Sequence, residues 1–241
     1  MGEELPAVFN VQYSFTYEDI LGEFGTTENG FFLKQTPAND DPLYIWTSAQ
    51  NDVVLMGGNL SLRLLRFALW VGYGLMTAAK STIAIHSSCI VADGQAVIFL
   101  GESGTGKSTH TRLWRENIPG AVLLNDDSPI VRIIDGKTWV YGSPWSGKTP
   151  CYINRRLPLK VIVRLKQAPF NRITKQVPLK AFASLMPACS CMRWDHDSVE
   201  NLYKTVEKVI TQIPVWQLEC LPDADAARTS YEACHPTTKQ K

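Results

Sequence analysis

Gly101-Glu102-Ser103-Gly104-Thr105-Gly106-Lys107-Ser108-Thr109, the run GESGTGKST, decides the fold. It satisfies the Walker A pattern G-x-x-x-x-G-K-[ST] in full. Ala96 to Leu100, just before it, is a continuous apolar run suited to a strand buried on both faces. Lys107 to about Asn117 reads as a helix. A strand that breaks into glycines and opens a helix turns its backbone N–H groups onto a phosphate chain, and the helix N-terminus adds roughly half a positive charge. Lys107 then reaches the terminal phosphates, and the Ser108 hydroxyl binds Mg²⁺. ATP with Mg²⁺ is the expected ligand, held by Gly101, Glu102, Ser103, Gly104, Thr105, Gly106, Lys107, Ser108 and Thr109. The plainer alternative is a glycine-rich turn with no ligand.

Asp126-Asp127 follows the apolar run Ala121 to Leu124, where a P-loop protein places its Walker B carboxylate. One aspartate suffices for the metal, and an adjacent second one can act as general base toward a hydroxyl. The expected division has Asp126 as base and Asp127 joining Ser108 on the metal, although the two are interchangeable on sequence alone. An acidic pair that only caps a turn is the competing reading. His86 falls on an expected strand, Ile83 to Val91, before the Asp93-Gly94 turn, so the hairpin returns it toward the glycine loop.

The order His86, hairpin, GESGTGKS, Asp126-Asp127 resembles the catalytic domain of bacterial HPr kinase/phosphorylase and, more distantly, the nucleotide core of ATP-dependent phosphoenolpyruvate carboxykinase. The resemblance spans roughly Thr82 to Lys166. It implies an α/β fold, a P-loop core with a mixed sheet. Lys107 then sits on phosphate and Ser108 on metal, and His86 stands beside an aspartate pair that divides proton acceptance and metal binding. That family's Glu-Ile-Arg-Gly-Leu-Gly signature is replaced here by Tyr141-Gly142-Ser143-Pro144-Trp145-Ser146-Gly147-Lys148, without its Glu and Arg. Related kinase-like proteins found beside peptide-modification systems make a protein or peptide hydroxyl, Ser first, the expected acceptor. A small-molecule kinase and a nucleotide-sensing subunit that transfers nothing are the rival readings.

The wider composition is that of an ordinary folded soluble protein. The chain has 241 residues, 45% apolar and 20% charged, with a formal charge of only +1. A nucleic-acid partner is not expected at that balance. Leu60 to Ala79 has the length of a membrane span, but Arg63 and Arg66 would cost roughly 5–7 kcal/mol inside one, so a helix packed between layers is expected instead. The N-terminus carries no basic region followed by an apolar one, and the six cysteines read as reduced thiols of a cytoplasmic protein. Cys189-Ser190-Cys191 with His196 lacks the spacing of a zinc motif.

Residues 1–80 hold 4 basic and 9 acidic side chains, and residues 81–241 hold 20 and 14. The first segment reads as a small antiparallel sheet (8–16, 31–35, 43–48, 53–56) followed by a helix capped by Asn59 and running to about Lys80. The second reads as the kinase-like domain. Its later elements are a strictly alternating strand, Leu159 to Lys166, a helix started by Asp197, a strand at Val215 to Leu218, and a helix from about Ala224 to Cys234. Alternation puts Lys160, Arg164 and Lys166 on one charged face. These belong to nine basic residues between Lys148 and Lys180, a stretch with no Asp or Glu. Arg164 and Arg172 are its expected phosphate contacts, and the run suits an acidic acceptor; the competing readings are basic residues guarding an edge strand and a contact between copies in a homo-oligomer.

Overall fold

The structure is a computed structural model that describes residues 5–48, 52–147, 150–151 and 153–235. Lys148, the first of the acid-free basic run, lies outside the described residues. The chain forms two compact units, Met1–Ala79 with Met192–Val199, and Lys80–Cys191 with Glu200–Lys241.

The first unit is an antiparallel meander, β1 (Asn10–Tyr17), β2 (Ile20–Thr26), β3 (Phe31–Pro37), β4 (Leu43–Thr47) and β5 (Val54–Gly58), paired in chain order, followed by α1 (Leu62–Thr77). Sequence patterning misses β2, because Gly22, Glu23 and Gly25 interrupt its apolar positions. The helix begins at an Ser61 N-cap rather than at Asn59, whose Oδ1 instead accepts the Ser61 N–H at 3.1 Å. It is not sandwiched between layers. Leu64, Ala68, Val71 and Leu75 form one buried stripe over Ile20, Leu33, Leu43 and Ile45, while Leu62 and Leu69 are exposed.

The second unit runs β6 (Thr82–Ala84), β7 (Ser87–Ala92), β8 (Gln95–Leu100), α2 (Lys107–Asn117), β9 (Val122–Asp127), β10 (Ile130–Ile134), β11 (Lys137–Tyr141), β12 (Arg156–Gln167), β13 (Arg172–Lys175), α3 (Pro178–Leu185), α4 (His196–Gln212, in this unit from Glu200 on), β14 (Val215–Cys220) and α5 (Ala224–Cys234). The expected strand Ile83 to Val91 is two strands, and His86 stands in the break between them with its N–H donating to Ala188 O at 2.7 Å. The sheet is mixed: β8 lies parallel to β12 and antiparallel to β7, and β12 is also parallel to β14. Its strands run in the order β6-β10-β11-β12-β8-β7-β9, with β14 and then β13 attached to β12.

β8 is buried on both faces, as its unbroken apolar run requires. Ala96, Ile98 and Leu100 join a core with α3 and α4, while Val97 and Phe99 join another with α2 and α5. β12 departs from strict alternation. A register shift between Leu159 and Val161 puts Leu157, Leu159 and Ile162 in the first core and Val161, Val163 and Leu165 in the second. The three basic residues therefore form no single stripe. Lys160 lies where its charge acts on Cys234 and His235 at the end of α5, whereas Arg164 shares the face of Ile162. No helix among the described residues is long and apolar enough to cross a membrane, and no disulfide is seen among the described residues.

Candidate functional site

The site gathers at one end of the β9-β7-β8-β12 strip. Antiparallel pairing sets Ser87 opposite Asp127 and Ser88 opposite Asp126, and β8 ends beside them at Leu100, from which the chain enters the glycine loop. Gly104 (φ 80°) and Gly106 (φ 104°) take left-handed backbone that a side chain would strain, so the loop can fold back under the start of α2. Thr105 closes it, its N–H and hydroxyl both donating to Glu102 O at 3.1 and 2.8 Å. The first-turn amides of α2, at Lys107, Ser108 and Thr109, have no carbonyl of their own helix to bond, and no side chain caps them.

Five side chains named from the sequence meet here. Lys107 Nζ donates to Gly101 O (2.7 Å) and Glu102 O (3.3 Å) and lies 3.2 Å from His86 Nε2. The other ring nitrogen, His86 Nδ1, is 3.2 Å from Asp127 Oδ1. With the proton on Nδ1, His86 donates to Asp127 and accepts from Lys107, giving a continuous Lys107–His86–Asp127 chain. Asp126 is 5% exposed, and its Oδ1 accepts from both Ser108 Oγ (2.9 Å) and Ser88 Oγ. The geometry thus pairs Ser108 with Asp126, and His86 with Asp127.

Charge follows these contacts. The His86 hydrogen bond is the main reason the Asp127 carboxyl is held below the usual carboxylate range, with Ser128 and Lys107 adding to it against partial burial. Burial lowers the Lys107 amine, and the two aspartates oppose that.

Asn125, fully buried, locks this end of β9. Its Oδ1 accepts from the backbone N–H groups of Asp127 and Ser128, and its Nδ2 donates to Ser143 and to Trp145 O. Gly147 N–H donates to Asp126 O at 2.7 Å, and a Cβ at Gly147 would stand 2.6 Å from that oxygen. Ser88 and Asn125 escape a motif search, although Ser88 follows His86 by two residues and Asn125 directly precedes the aspartate pair.

The basic residues divide. Arg164 is half-buried in register with Leu100, at the foot of the loop, and makes no ion pair among the described residues. Arg172 instead lies on β13, its Nε and Nη2 both on Glu219, which also takes Lys166 at 3.0 Å. These two cations hold the Glu219 carboxyl below its ordinary value, Arg172 first. Cys189 donates to Leu185 O at 3.3 Å, and burial pushes its thiol up to about 12.

No family model matches the sequence, and no curated protein does. Among solved structures, the HPr(Ser) kinase/phosphatase from Coxiella burnetii is similar at 12% identity, covering 63% of this chain and 92% of that chain with a TM-score of 0.36. A likeness this distant carries no weight for what the site does, which rests on the geometry above.

Proposed function

We propose that the chain is an ATP- and Mg²⁺-dependent phosphotransferase that moves the γ-phosphoryl group onto a hydroxyl, Ser first, of a protein or peptide. The observation that carries this reading is the meeting of Lys107, Ser108, Asp126, Asp127 and His86 in one hydrogen-bonded group beside the glycine loop and the N-terminus of α2. Lys107 and the loop amides bind the β- and γ-phosphates; Lys107 exchanges two neutral carbonyls for anionic oxygens. Asp126, Ser108 and Ser88 offer a cluster of oxygen donors, which fits a hard divalent cation. Mg²⁺ at these residues would neutralise charge on the transferring group.

Asp127 is the base. It takes the proton of the acceptor hydroxyl as that oxygen bonds to phosphorus and ADP departs, and His86 fixes its orientation while keeping it ionised. This exchanges the roles that the sequence suggested for the two aspartates. Arg164 of β12, in register with Leu100 and without an ion pair among the described residues, supplies a further cation to the phosphate chain.

Calorimetry of Mg–ATP binding tests the reading. Wild-type protein binds, and Lys107→Ala loses about 2–5 kcal/mol, the cost of removing one charge-assisted partner. Equal affinity in the two proteins would refute it.

A further inference from the structure

The glycine loop has two flanks. In the strand order β9-β7-β8-β12-β14-β13, the groups of the proposed transfer stand on the β7 and β9 side, at Ser88, Asp126 and Asp127, with His86 at the entry to β7. Resting on that reading, a nucleotide whose γ end faces Asp127 sends its nucleoside toward the opposite flank, across β12, β14 and β13.

That flank carries a tied-down turn, Ala168 to Asn171. Gln167 Nε2 donates to Gly104 O at 3.3 Å, joining the turn to the loop itself. Ala168 N–H donates to Cys220 O at 3.0 Å, and Asn171 bonds both Asp223 Oδ1 (3.0 Å) and the Leu221 N–H (2.9 Å). On this fixed turn Phe170 is 45% exposed, and the Arg172 guanidinium lies 5.2 Å from its ring centroid. Glu219 holds that guanidinium in place. β13 is three strands from β8, about 14 Å at the usual spacing, which suits the reach of a ribose and its nearer phosphates.

We infer that Phe170 and Arg172 form the nucleobase subsite: the base of the bound nucleoside triphosphate stacks on this platform while the loop holds the phosphates. An aromatic ring and a planar guanidinium both offer flat faces to a base, and neither needs to move to do so. Arg172, expected from the sequence to touch phosphate, thus serves the other end of the nucleotide.

Binding of Mg–ATP and of Mg–tripolyphosphate to the full chain separates base from phosphate. Phe170→Ala should raise the Kd for ATP about tenfold, within the range for one lost base–aromatic stack, and leave tripolyphosphate unchanged. Phe170→Trp should restore ATP affinity. An Ala variant that weakens neither ligand, or both alike, would overturn the subsite. Wild-type protein that binds neither ligand would overturn the nucleotide reading as well.

Discussion

Asp127→Asn is the substitution whose outcome separates the two aspartates. Asparagine keeps the side-chain volume and an oxygen facing His86 Nδ1 at 3.2 Å, while its amide group takes the place of the oxygen that accepts from Ser128 Oγ and can donate to that hydroxyl instead, so the turn held by Asn125 survives. What disappears is the capacity to take a proton. A general base contributes about 10²–10⁴ in rate, or about 3–5 kcal/mol of barrier, and little ground-state affinity. Turnover should therefore fall by that factor while the Kd for Mg–ATP stays within about twofold. Asp126→Asn should behave differently. It removes the anion that accepts from Ser88 and Ser108, so the Mg²⁺-dependent part of ATP affinity should fall by about tenfold or more. The pH profile adds a signature. A base works above its own pKa, and His86 lowers that of Asp127, so the acid limb of wild-type turnover lies below the ordinary carboxylate value of about 4. His86→Ala should move that limb upward. Calorimetry, single-turnover transfer and the pH profile are the assays. Wild-type transfer by Asp127→Asn, or lost Mg–ATP affinity in Asp127→Asn alone, would refute the assignment.

Two further outcomes concern the scaffold. His110 is 3% exposed, with Nε2 3.0 Å from Ser230 Oγ, and burial brings its pKa down to about 4. The unfolded state binds the extra proton between pH 6.5 and 4, so this contribution is complete above 6.5 and is lost as pH falls, by about 3 kcal/mol in all. Urea midpoints should show that slope in wild type and lose it in His110→Gln. Gly147→Ala should lower the melting temperature and slow transfer together, because its Cβ meets Asp126 O at 2.6 Å and the end of β9 must shift, at about 1–3 kcal/mol. A variant that melts and turns over like wild type would show that this loop yields freely.

Local chemistry was legible in the sequence where a short motif contains its own geometry. GESGTGKST states both the turn and the helix that follows, and α2 begins at Lys107 as its spacing requires. The aspartate pair was legible as a site, but its internal division was not. That depends on Ser88, which pairing with β9 brings to Asp126 from a different strand. The charged stripe failed for a related reason: a bulge after Leu159 reverses the faces of β12, and nothing in the alternation of Leu159 to Lys166 signals it. Arg172 looked free in an acid-free run because its partner, Glu219, lies 47 residues away on β14. β13 was missed because Ile173 is its one apolar residue and leaves no pattern to read.

The central claim is transfer, and the most direct measurement follows the γ-phosphate. Wild-type protein, incubated with Mg²⁺, γ-labelled ATP and a lysate of the source cells, should place label on a protein or peptide in a bond with the acid stability of a phosphoserine. Asp127→Asn, at equal ATP occupancy, should leave that species unlabelled. A wild-type protein that binds Mg–ATP and labels nothing, or labels the same species as Asp127→Asn at the same rate, would contradict the account and leave a nucleotide-binding subunit in its place.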